Sequence, residues 1–168
     1  MREIVDPAID QLCRAFDRGG YNPSPIVDLG VLVASAGGKV SMREREVLLD
    51  VFQTLLDTTL TPELVDHLVT ASLDVIEAAG AEPRARLVAA ILADCDAVEP
   101  GIRVALAIAF ASEGLSTAER AVIYRIAGAA GLAPSRVEAL IEEVRAHVDG
   151  DPVSVRMALS PKSPPSTR

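Results

Sequence analysis

The carboxylates best placed to do chemistry are Glu44 and Glu119. Each stands three residues after a serine, Ser41 or Ser116, that reads as the start of a helix. With Glu113 and Asp28 they could share a divalent ion. Hard cations take six or more oxygens, several of them from carboxylates. The same two glutamates suit a plainer use, closing capping boxes and complementing the positive end of a helix. Glu119 cannot do both with the same oxygens. Where the second copy of this pattern has Glu113, the first has Gly37. Any cation site therefore falls to the second copy. Two or three carboxylates without an Asn-rich loop hold calcium no tighter than about 10⁻⁴ M.

The remaining reactive residues form no constellation. Asp94, Asp96 and Glu99 crowd the end of an expected helix over 83–97 and read as a solvated acidic turn, at the unfavourable end of the helix dipole. His67 and His147 stand alone, without the second ligand at three or four residues that a zinc site needs. His147 falls in the last turn of its helix, where a partly positive ring is favoured. Cys13 and Cys95 are too few for a disulfide scaffold and read as free thiols in a reducing compartment. No nucleophile elbow, phosphate-binding loop or dinucleotide fingerprint occurs. The chain is expected not to be an enzyme, with no catalytic or cofactor-binding residues.

Composition narrows the partners. The 168 residues are 49% hydrophobic and 24% charged, enough for a packed core and against wholesale disorder. The net charge is −8, and only 3% of residues are aromatic, with no Trp. Nucleic acid and anionic membrane surfaces are poor partners for such a chain. The first residues carry acids at once and lack an apolar signal region, and the longest apolar stretch, 102–111, is about half of a bilayer span. A cytoplasmic protein without membrane insertion is expected.

These side chains must be carried by helices. Ile9, Leu12, Cys13 and Phe16 sit at i, i+3, i+4 and i+7, as do Leu87, Ile91 and their neighbours, and Val137, Leu140, Ile141 and Val144. Asp6-Pro7, Ser24-Pro25 and Thr61-Pro62 each offer a capping side chain with proline at the first helical position. Ser41-Met42-Arg43-Glu44 and Ser116-Thr117-Ala118-Glu119 are capping boxes. The spacing predicts an all-α bundle of about eight helices, near 6–18, 25–36, 41–57, 62–79, 83–97, 100–112, 116–130 and 134–149. They make one domain over 1–150. The Pro/Ser-rich residues 151–168 read as a flexible tail.

The chain also repeats itself. The run from Val33 to Arg45 parallels that from Ile108 to Arg120, and Leu60 to Leu68 parallels Leu132 to Leu140. Each unit reads apolar helix, glycine turn, capping box, amphipathic helix, Leu-x-Pro turn and amphipathic helix. Residues 26–36 and 102–111 are apolar nearly all round, apart from Asp28 and Arg103. Such helices are enclosed on every side. They belong at the centre of a pseudo-twofold bundle with one shared core.

At Ser112-Glu113-Gly114-Leu115-Ser116-x-x-Glu119, and at the weaker copy over 36–45, the chain resembles the TerB-like (tellurite resistance) family of bacterial all-helical domains. The resemblance covers roughly 26–145. The family motif reads Ser-Asp-Gly-x-Ser-x-x-Glu, so Glu113 replaces the aspartate, and the first copy has Gly37 there with Lys39 as an extra residue. The resemblance implies a stress-response interaction or sensor module that acts by binding a protein partner. Its alternative is a divalent metal-binding protein using Glu113, Glu119, Glu44 and Asp28. Beyond a weakly held divalent cation it implies no cofactor.

Overall fold

The computed structural model describes residues 2–21, 24–38, 40, 42, 45, 48, 49, 52, 61–111 and 114–150. Seven helices run through them: α1 (Arg2–Gly19), α2 (Ser24–Ala34), α3 (Pro62–Ala79), α4 (Ala81–Asp94), α5 (Val98–Ala111), α6 (Thr117–Ala129) and α7 (Pro134–Gly150). Among the described residues there is no strand, so the fold is an all-α bundle. Most of the expected eighth helix, 41–57, lies outside the described residues; Met42, Arg45, Leu48, Leu49 and Phe52, which are described, are helical. The expected Ser41 box and the tail over 151–168 also lie outside them.

Local chemistry accounts for the helix ends. Thr61 caps α3, its hydroxyl accepting from the Leu64 amide at 3.3 Å. Ser116 and Glu119 close a capping box at the start of α6. Gly80, at φ 89°, ends α3 and starts α4 in a single residue, a backbone turn that other side chains resist. Two boundaries differ from expectation by three residues or more. The first helix starts at Arg2, not at Asp6, and carries Pro7 inside it. Pro7 has no N–H, so the Glu3 carbonyl in the first turn goes without its regular helical donor.

The second difference moves an acid. α4 ends at Asp94, and Asp96 takes a left-handed conformation at φ 53°. The Asp96 amide donates to the Ala93 carbonyl at 3.2 Å and the Ala97 amide to the Leu92 carbonyl at 2.8 Å. That is a Schellman ending with aspartate in the usual place of glycine. α5 then begins at Val98, so Glu99 lies in a favourable first turn and not at a helix end.

α2 and α5 form the centre. Residues 25–34 of α2 are all buried, as are Gly101, Ile102 and the run from Val104 to Ala109 of α5. α2 packs against α3, α4, α5 and α6, and α5 against α1, α2, α4, α6 and α7. The apolar composition of the two segments demands this enclosure. Gly30 permits it locally: a Cβ there would meet Phe52 Cζ at 2.6 Å and Ile108 Cδ1 at 2.9 Å. One core joins all seven helices.

Candidate functional site

Asp28 is the acid in the wrong place by hydropathy. It is 4% exposed on the central helix α2. A buried carboxylate must be paired and hydrogen-bonded to be tolerated. Its Oδ1 accepts from the Ser72 hydroxyl of α3 at 2.6 Å, and its Oδ2 from Arg84 Nη2 of α4 at 2.5 Å. Ser72 is itself buried, and Arg84 Nε is a buried donor without an acceptor among the described residues. The triad ties α3 and α4 to the centre. For Asp28 to hold a cation, it would have to release Arg84.

Glu119 is also buried, at 7%. Its Oε2 accepts from the Ser116 amide at 2.8 Å, while its own amide donates to Ser116 Oγ at 3.2 Å. The carboxylate is thus engaged at the helix start. Asp28 and Glu119 sit on the contacting helices α2 and α6, each with partners of its own. Glu44 and Glu113 lie outside the described residues. Among the described residues, no three His, Cys, Asp or Glu side chains gather as a cation would require.

The acidic cluster at 94–99 is divided. Asp94 accepts from the Tyr21 hydroxyl at 3.0 Å. Glu99 takes a bidentate pair from Arg136 of α7, both bonds 2.7 Å long. That hydrogen bonding, with the charges of Arg136 and Arg103, holds the Glu99 carboxyl below its usual pKa against a smaller opposing effect of burial. Arg103, the one charge inside the apolar run of α5, reaches Glu99 at 3.7 Å and Glu143 of α7 at 3.3 Å.

His67 is exposed on α3, and His147 Nδ1 lies 2.9 Å from the Glu143 carbonyl and donates to it. Cys13 is half-buried and Cys95 buried, both free; burial first, then nearby carboxylates, push both thiols above their usual pKa. Such thiols are poor nucleophiles at neutral pH.

Two features were missed in the sequence. One is a cleft of about 290 Å³ between α1 and the start of α5, lined by Gln11, Arg14, Ala15, Arg18, Asp96 and Pro100. Arg14 and Arg18 at i and i+4 share one face of α1, which is its signal in the sequence. The other is an apolar flank of α3. Leu64 is 45% and Val75 40% exposed, Ala71 between them is exposed, and Leu68 is half-buried. The spacing 64, 68, 71, 75 places all four on one side of the helix.

No protein-family model, curated protein or solved structure matches the chain.

Proposed function

We propose that the chain is a TerB-like module of a cytoplasmic, bacterial-type stress response, and that it acts by binding a protein partner. The observation that carries this reading is the exposed apolar set Leu64, Ala71 and Val75 along one side of α3, with Leu68 between them packed on the core. A helix that already buries Val65, Val69 and Ser72 inward has no packing reason to present a second apolar side to water.

The internal repeat behind the TerB-like reading gains support from an ion pair. The alignment of the two units sets Arg45 opposite Arg120 and Asp66 opposite Glu138. Arg45 pairs with Asp66, at 2.7 Å, and Arg120 with Glu138. Leu48 and Ile123, also aligned, are both fully buried. The pairs join the capping-box segment to the Leu-x-Pro helix in each unit.

The test is capture on the immobilised full chain from a lysate of its source cells. A discrete protein is expected on the wild type and not on Leu64→Glu/Val75→Glu, with the two melting at the same temperature. Equal capture by both would sink the α3 assignment. Calorimetry with calcium, magnesium and zinc runs beside it. Micromolar cation binding abolished by Glu113→Gln would overturn partner binding in favour of the metal reading.

A further inference from the structure

The chain is acidic, and its arginines are spent on its own carboxylates. Every arginine from Arg45 to Arg145 whose side chain the structure describes holds an Asp or Glu as an ion pair. Arg14 and Arg18 are the exceptions among the described side chains, and both line the same cleft. Two guanidiniums one turn apart on a helix repel each other and weaken it slightly. Acids were at hand: Asp10 lies one turn before Arg14 on the same side of α1, and Asp17 adjoins Arg18, both exposed and without an ion pair to either arginine. The juxtaposition is therefore not used for internal pairing.

We propose that this cleft binds a small oxyanion, a phosphate or carboxylate group of a soluble ligand, held by Arg14 and Arg18. The guanidinium fork matches either anion with two parallel N–H···O bonds. Gln11, one turn before Arg14, brings an amide that donates to a further oxygen. The first turn of α5 forms the opposite wall through Pro100, and its positive end adds to the field. The half-open cleft of about 290 Å³ suits the phosphate or carboxylate end of a small molecule. Asp96 is the opposing charge in the lining. It lowers the affinity for a bare anion and favours a ligand that also carries a hydroxyl or ammonium donor. The site lies between α1 and α5, away from the α3 flank, and stands or falls independently of partner binding.

Calorimetry on the full chain tests it with inorganic phosphate, pyrophosphate and citrate, in low salt, to about 10 mM. Saturable binding of at least one is expected. Pyrophosphate over citrate would assign a phosphate ligand, and the reverse a carboxylate. Arg14→Gln/Arg18→Gln should weaken that binding at least about tenfold, since each charge-assisted bond contributes roughly that factor. Arg86→Gln, which breaks an exposed pair with Glu82, should leave it unchanged. Asp96→Asn keeps the left-handed turn and should tighten it. No saturable heat from any of the three, or binding indifferent to the double substitution, would overturn the assignment.

Discussion

At the scale of single residues, local sequence signals carried furthest. The Ser116–Glu119 box was legible because both partners lie within one turn and each side chain bonds the other's backbone amide. Ser116→Ala should cost about 0.5–2 kcal/mol in urea titration, because the Glu119 amide loses its acceptor. Glu99 makes the opposite case. Its glutamate type was plain, yet its partner Arg136 lies 37 residues away, and only packing of α5 on α7 brings them together. The pair has a pH signature. The folded-state pKa of Glu99 lies below the ordinary value of 4.5, so its contribution is complete above that pH and is lost as pH falls through the lower folded value. Arg136→Gln should therefore flatten the loss of stability below pH 4.5, measured by denaturant midpoints between neutral pH and pH 3. An unchanged acid limb would mean that the two bonds form only loosely in solution.

At the scale of elements, the helices were readable and some of their ends were not. The Thr61-Pro62 start and the Gly131 stop announce themselves by residue type. The end of α4 does not, because a Schellman turn built on Asp96 lacks the glycine that marks such turns. The expected helix over 83–97 therefore ran three residues too far, and Glu99 was assigned to the wrong helix end. The same residue gives a test of that reading. Asp96→Gly should raise stability by up to about 1 kcal/mol, by relieving a left-handed conformation that costs an L-residue roughly that much. Thermal melts check it. A loss of stability would show that the Asp96 side chain contributes more than its backbone strain costs.

At the scale of the whole molecule, hydropathy placed α2 and α5 at the centre, because only an enclosed helix can be apolar on every side. It also marked Asp28 as an anomaly. It could not name Ser72 and Arg84, 44 and 56 residues further on, since their approach depends on how α3 and α4 cross α2. The cleft was hidden for the same reason: Arg14 and Asp96 share it only once α1 has packed on α5. The core around Asp28 permits a paired comparison of two variants. Asp28→Ala should destabilise by about 3–5 kcal/mol, leaving Arg84 without its partner. Asp28→Leu combined with Arg84→Met should cost far less, because both buried charges leave together. Equal losses in the two variants, by chemical denaturation, would mean that the triad carries no interaction of its own.

The two tyrosines sit on different joints of the bundle. Tyr21 follows α1, meets Phe16 edge-on at 6.4 Å and donates to Asp94 of α4. Tyr124 lies on α6, donates to Glu138 of α7, and has the Arg120 guanidinium 5.7 Å from its ring centre. The chain has no Trp, so its tyrosine emission, from these two rings, is not masked by an indole. The protein thus carries a built-in optical gauge with one channel per joint, and Tyr21→Phe silences the first while leaving the second. The hydrogen bond to Asp94 raises the pKa of Tyr21, and burial followed by the bond to Glu138 raises that of Tyr124, both above 10. Whatever stability the phenol protons lend is present at neutral pH and is lost as pH climbs through those raised values. An alkaline absorbance titration should show both rings ionising late in the native chain and at the ordinary pH in urea, and in Tyr21→Phe the remaining transition reports the Tyr124 joint alone.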